Sequence, residues 1–364
     1  MPSGTEEESL LLSWLEPEGG DTYAVKMTER LGESWGPVRD IFEGDRLFVN
    51  WADFPSVYQV SGDTYVAHWL HMKGEASYEY DIQISHSLDR GFSWSQPISP
   101  HRDNVIAEHG FLSFFVFPSG SLGMVWLDGR NTKFAPEARG SDSGDMALFA
   151  TTLSGGRELG PEVLLDGRVC ECCPTSALTL GKTTLVAYRD RSAEEVRNIQ
   201  IVSHADGFWG NPVTVHDDGW KIPGCPVNGP ALAGEDDVLS VAWFTAPGGD
   251  AQVNVAFSFD HGATFGEPVR VDGGYPLGRV DLEWIQDSAL VSWVELSGDT
   301  GRVMVRTVST DGRLSSERIV GTIDPERGSG IPRMVRLGDW VYVAWTFQDT
   351  PTGLVIKRFQ LSMH

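Results

Sequence analysis

A short strand ending in an aromatic residue recurs seven times along the chain, and this repeat limits the possible folds more than any other feature. The copies are Leu12-Ser13-Trp14, Ala67-His68-Trp69, Met124-Val125-Trp126, Val186-Ala187-Tyr188, Val241-Ala242-Trp243, Val291-Ser292-Trp293 and Val343-Ala344-Trp345. They lie roughly 50 to 60 residues apart, the length of a four-stranded propeller blade. A unit of that size cannot bury its apolar face alone, so neighbouring units must stack. The 364 residues exceed what one ordinary core supports, and repetition removes that difficulty. The expected architecture is all-β: a single closed β-propeller domain over residues 1–364, with four-stranded blades. The aromatic count gives seven blades, with six as the alternative.

The intervening segments agree. In the second unit, residues 56–60, 65–70 and 78–84 are short β-prone runs separated by glycine or aspartate turns. After the third run comes Ser87-Leu88-Asp89-Arg90-Gly91-Phe92-Ser93-Trp94. The fifth unit carries Ser258-Phe259-Asp260-His261-Gly262-Ala263-Thr264-Phe265 at the same place. Weaker versions are Ser203-His204-Ala205-Asp206-Gly207 and Ser309-Thr310-Asp311-Gly312. The aspartate can accept backbone N–H bonds, the glycine can take a positive φ, and the final aromatic can plug between sheets. These segments resemble the Asp box of sialidases and related propellers. The last unit shows three strands, and a strand near the N-terminus is expected to complete it and close the ring.

If the Asp-box turns lie on one face, connections into first strands and out of second strands lie on the other. The entrances carry Trp51 and Asp53, Glu108 and His109, Cys170, Cys172 and Cys173, Cys225 and Asn228, Arg279 and Asp281, and Arg333. The exits carry His71, Asp128 and Arg130, Arg189 to Arg191, and Glu295. The residues capable of chemistry thus gather on one rim.

All four cysteines fall at two adjacent entrances, Cys170-Glu171-Cys172-Cys173-Pro174 and Gly224-Cys225-Pro226. Three readings stay open. A disulfide, most simply from Cys172 or Cys173 to Cys225, would staple neighbouring blades. A soft-metal site of Cys170, Cys172, Cys173 and Cys225, with His109, would suit copper or zinc in binding, delivery or redox chemistry. Inert buried thiols are the third.

The resemblance to sialidases implies a second chemistry, an exo-glycosidase acting on an acidic sugar. Such enzymes hold the substrate carboxylate with three arginines, here matched to Arg189, Arg279 and Arg333. An aspartate serves as acid/base, here Asp53 or Asp128, and a glutamate activates a tyrosine, here Glu295 with Tyr275 or Tyr188. No Phe-Arg-Ile-Pro-like segment opens the chain; Ile331-Pro332-Arg333 stands near the C-terminus in a different order. The same arginines and aspartates could instead pair across blades. A non-enzymatic glycan- or protein-binding module is the third functional reading.

The runs Glu108 to Phe111, Trp126 to Arg130, Cys170 to Cys173, Tyr188 to Arg191 and Cys225 to Pro230 are similar to a group of bacterial exported sialidase-like propellers. That resemblance covers nearly the full chain and implies a periplasmic or extracellular protein whose signal peptide has been removed, although Met1 to Glu6 show no signal sequence and leave a cytoplasmic location open. The net charge of −23 repels phosphate backbones and excludes a nucleic-acid partner. No apolar run approaches the length of a membrane helix, so a soluble chain without a transmembrane segment is expected. The partners left are a small molecule, a metal or a glycan, with oligomeric state open.

Overall fold

The computed structural model describes residues 9–132, 144–347 and 353–360. Its strands form seven antiparallel sheets, each a meander in chain order, and the fold is a seven-bladed β-propeller. The second sheet is Ser56–Ser61, Thr64–Met72 and Tyr80–Ser87, with Ile98 bridging Ile84 at its edge. The third opens with His109–Val116 and Leu122–Asp128, the fourth with Ser176–Leu180 and Thr183–Arg189. The fifth opens with Ala231–Glu235 and Val238–Thr245, the sixth with Tyr275–Ile285 and Ser288–Ser297. No helix among the described residues is long and apolar enough to cross a membrane.

Six of the seven aromatic repeats lie on second strands. In the first sheet the equivalent strand, Ser9–Gly19 with Trp14, is the first described one, and it pairs with Thr22–Leu31. The seventh sheet has three described strands, Arg333–Leu337, Trp340–Phe347 and Gly353–Gln360. The expected completion of this sheet by an N-terminal strand is not seen among the described residues. Residues 1–8, to which the N-terminal reading refers, lie outside them.

Second strands read as continuous apolar runs because both their faces are covered. Leu122–Asp128 is buried at every position and Val238–Thr245 at every position but the first. Trp69, Trp126, Trp243 and Trp293 are fully buried. They fill clusters shared by consecutive sheets, such as that of Met27, Tyr65 and Trp69, or that of Trp243, Leu185 and Ile201. Outer strands are short and half-exposed, as Val163–Asp166 shows. His68 is core as well: its Nδ1 meets Ser56 Oγ at 2.8 Å, and burial holds the imidazole down at about 3.

The two best-matched turns share one hydrogen-bond pattern. Ser87 Oγ donates to Asp89 Oδ1 (2.7 Å) and accepts from Gly91 N–H (2.7 Å), while Ser93 donates its N–H and hydroxyl to Asp89 (2.9 and 2.6 Å). Ser258, Asp260, Gly262 and Thr264 repeat this at 2.8, 2.9, 2.9 and 2.6 Å. Gly91 and Gly262 take φ of 82° and 83°, the left-handed region that favours glycine. Trp94 and Phe265, the last residues of the turns, pack against the intersheet clusters.

By contact density the chain divides into two compact units. One comprises Met1–Val116, Ser121–Asp145 and Phe149–Val163; the other comprises Phe117–Gly120, Met146–Leu148 and Leu164–His364.

Candidate functional site

In the first unit, an Asx turn sets Asp53 ahead of the second sheet: Asn50 Oδ1 accepts the N–H groups of Ala52 (2.8 Å) and Asp53 (3.3 Å). Asp53 Oδ2 then accepts the Phe111 N–H of the third sheet at 2.7 Å. Phe111 has φ 54°, and a Cβ on Gly110 would collide with the Asp53 carboxyl. Gly110→Ala is therefore expected to cost about 1–3 kcal/mol in urea unfolding, because overpacking a tight contact forces the backbone to shift; a change below about 0.5 kcal/mol would contradict this contact.

Asn228 does the same job between the fifth and sixth sheets. It stands three residues ahead of Ala231, as Asp53 stands three ahead of Ser56. Its Oδ1 accepts the Arg279 N–H at 2.6 Å, Arg279 has φ 55°, and Gly278 makes room for it. Burial, reinforced by the charge of Glu108 and opposed by the Phe111 N–H, pushes the Asp53 carboxyl up to about 8. At neutral pH it keeps its proton.

Glu108 is half-buried and fixed from two sides. Gly129 N–H donates to its carbonyl at 2.8 Å, and the Tyr80 hydroxyl donates to its Oε1 at 2.8 Å. Tyr80 is 1 % exposed and stacks on Phe48 at 4.1 Å. Burial and the charge of Glu108 push the Tyr80 phenol far up, so it serves as a donor to the glutamate and is poorly suited to act as a nucleophile. Sequence reasoning missed Tyr80. Its partner is 28 residues away, and the available signal was its place at the start of the third strand, Tyr80–Ser87.

Other expected acid/base residues are committed elsewhere. Asp128 is fully buried and accepts the Trp126 indole N–H (2.8 Å) and three bonds from Arg130 (3.0, 2.8 and 2.7 Å). Glu295 accepts the Trp293 indole N–H at 3.2 Å, as Glu16 accepts that of Trp14 at 2.9 Å. Residues i and i+2 share one face of a strand, so a carboxylate two places after the tryptophan anchors its indole. Of the tyrosines proposed as partners of Glu295, Tyr188 donates to Asp166 at 2.6 Å, while Tyr275, 79 % exposed, stands opposite Leu296, next to Glu295.

Of the three arginines expected to hold a substrate carboxylate, two are buried and spent on backbone carbonyls. Arg189 is 1 % exposed and donates to the carbonyls of Asn228 (2.8 Å), Arg197 (2.6 Å) and Phe244 (2.6 Å). Arg279 is buried against Ser329 Oγ (2.9 Å) and the carbonyls of Pro325 (2.8 Å), Glu326 and Gly330 (both 3.2 Å). Arg333 alone is exposed, 3.3 Å from Asp281, whose Oδ2 also accepts the Met334 N–H at 2.7 Å.

In the second unit all four cysteines are paired, Cys170 with Cys173 and Cys172 with Cys225, at Cα separations of 5.7 and 6.1 Å. The second bridge joins the two cysteine segments. The Sγ atoms of Cys170, Cys172 and Cys173 all lie within 4.8 Å of one another. His109 is not in this group; it is buried in the first unit with Asp81, His101, Asp103 and Asp128. Beside Cys225 opens a cavity of about 420 Å³ walled by Glu171, Arg191, Glu195 and Arg197. Both arginines pair with both glutamates: Arg191 with Glu171, and Arg191–Glu195, Arg197–Glu171 and Arg197–Glu195 at 2.7, 3.1 and 2.9 Å. The wall presents donors and acceptors with no net charge.

No protein-family model matches the chain, and no curated protein matches it. Solved structures do. An ulvan lyase of a new polysaccharide lyase family aligns over 98 % of this chain and 90 % of its own, with TM-score 0.61 and 10 % identity. The NanB sialidase of Streptococcus pneumoniae aligns over 87 % of this chain and 69 % of its own (TM-score 0.53, 13 % identity). An α-L-arabinofuranosidase of Fusarium graminearum aligns over 86 % and 93 % (TM-score 0.52, 14 % identity). The fold is that of the sialidase-like propellers. At these identities the likeness extends to the fold alone.

Proposed function

We propose that this propeller cleaves a glycosidic linkage in a polysaccharide or oligosaccharide, with Asp53 and Glu108 as its carboxyl pair. What supports this reading is a pair of unlike carboxyls: Asp53, buried and accepting the Phe111 N–H, which burial pushes up to about 8, and half-buried Glu108, held by the Tyr80 hydroxyl. Glycoside cleavage needs such a division of labour: one carboxyl protonates the leaving oxygen while the other stabilises positive charge at the anomeric carbon or activates water. In this reading Asp53 is the acid that protonates the leaving oxygen, and Glu108, the half-exposed member, stabilises the anomeric carbon or activates its water. The structural neighbours that act on ulvan, sialosides and arabinan support a glycan as substrate class. Two of the three expected arginines, Arg189 and Arg279, are buried on backbone carbonyls, so the substrate need not be acidic. The test is a panel of sulfated, acidic and neutral glycans, with Asp53→Asn and Glu108→Gln as controls. No turnover on any of them, or full activity in both variants, would end the proposal.

A second reading rests on the convergent sulfurs of Cys170, Cys172 and Cys173. Thiolates, not disulfides, bind soft metals, so copper or zinc would enter only after reduction. Anaerobically reduced protein is expected to bind one equivalent of Cu(I) against a competing chelator. Reduced protein that binds none would exclude this reading.

A further inference from the structure

The two disulfides of the second unit differ in what can reach them. Cys170 and Cys173, the inner pair, are 0 and 1 % exposed. In the outer pair Cys172 is half-buried and Cys225 is exposed. Of the four cysteines, Cys225 lines the cavity, where Pro223, Gly224 and Cys225 complete the wall of Glu171, Arg191, Glu195 and Arg197. Cys172 lies on the crowded side of its bridge. Its Sγ is 3.9 Å from that of Cys170 and within 4.8 Å of that of Cys173.

Thiol–disulfide exchange needs a thiolate to reach one sulfur of a bridge while the other departs. The cavity offers that approach to Cys225, whereas neighbouring sulfurs shield Cys172. Charge does not oppose it. The chain carries a net −23, which repels an anion from most of its surface, but the two arginines and two glutamates of this wall cancel. The backbone at Cys225 can follow the change. The Glu195 carbonyl holds the Ile222 N–H (3.1 Å), and Asn228 Nδ2 holds the Pro226 carbonyl (3.2 Å). Between these ends Pro223, Gly224 and Cys225 make no hydrogen bond among the described residues, so the bridge ties down this part of the wall.

We propose that Cys172–Cys225 is a thiol–disulfide exchange site for a dithiol, with Cys225 as the sulfur attacked and Cys172 as the sulfur released. One thiolate of the dithiol bonds to Cys225 Sγ, and the electron pair of the broken S–S bond departs on Cys172, which takes up a proton. The second thiolate of the dithiol then attacks its partner sulfur, closing the dithiol into a disulfide, and Cys225 departs and is protonated in turn. Two electrons thus pass from the dithiol to the bridge. The inner pair stays oxidised, and the wall from Pro223 to Cys225 loosens beside the cavity.

The test treats the native, fully oxidised chain with one equivalent of dithiothreitol, blocks thiols with N-ethylmaleimide and maps the labels by peptide mass. Labels are expected on Cys172 and Cys225, with Cys170–Cys173 intact. Glutathione, a monothiol that cannot complete the second step within one molecule, is expected to leave a mixed disulfide on Cys225. Amide hydrogen exchange at Gly224 and Cys225 should quicken by at least about tenfold on reduction, while that of Val238–Thr245 stays unchanged. Thiols that appear first on Cys170 and Cys173, or only after unfolding, would overturn the proposal. A glutathione adduct on Cys172 would overturn the choice of sulfur, and unaltered hydrogen exchange would overturn the loosening of the wall.

Discussion

Asp53→Asn is expected to lower kcat/KM on any glycan that the protein cleaves by about 10²- to 10⁴-fold, the usual worth of a positioned proton donor. Below about pH 4, where the carboxyl is protonated folded and unfolded, stability should change by less than about 0.5 kcal/mol, and at neutral pH the variant should be the more stable of the two. The two expectations separate because Asn228, at the equivalent place, already shows an amide accepting the same interblade bond. The pH dependence has a fixed sign. Burial raises Asp53 to about 8 in the folded chain, so wild-type activity should fall as pH rises through about 8. The unfolded carboxyl titrates near its ordinary value of about 4, so between there and about 8 only the unfolded chain has ionised. The stability contribution of this group is complete below that window and declines with rising pH across it. In Asp53→Asn that decline should vanish. A variant with wild-type kcat/KM, or one that unfolds at neutral pH, would sink the assignment of Asp53 as acid.

Arg189→Ala is expected to destabilise the protein by about 3–5 kcal/mol, measured by urea unfolding. Its guanidinium lies over the Trp220 ring at 5.1 Å and serves three buried carbonyls from separate segments. Removing it leaves all three without their donor and opens a cavity the size of a large side chain. An arginine devoted to substrate would behave in the opposite way, with stability kept and affinity lost. A loss below about 1 kcal/mol would show that the carbonyls find other donors.

The blade repeat was legible because it depends on local physics: short β-prone runs, a glycine in the best-matched tight turns, and an aromatic at one fixed place. The positions of Asp128 and Glu295 at strand exits were legible too, but not their occupation. Trp14-Leu15-Glu16, Trp126-Leu127-Asp128 and Trp293-Val294-Glu295 repeat one spacing, which read as a pattern predicts an indole anchor. The roles of Arg189 and Arg279 were hidden because their partners are backbone carbonyls, which leave no mark in a sequence. Tyr80 with Glu108, and Asp81 with His101, meet only through contacts between neighbouring sheets, and no local periodicity reports those.

The side-chain tether from one sheet to the next has a consequence for how such a chain can diversify. Asp53 reaches Phe111 past Gly110, and Asn228 reaches Arg279 past Gly278, so each acceptor and the glycine it passes belong to different repeats. A blade duplicated or transplanted alone would arrive with an acceptor facing an obstructing Cβ, or with a vacant notch. Recombination in this scaffold should therefore succeed at cuts that move adjoining half-blades together, and fail at cuts that part them.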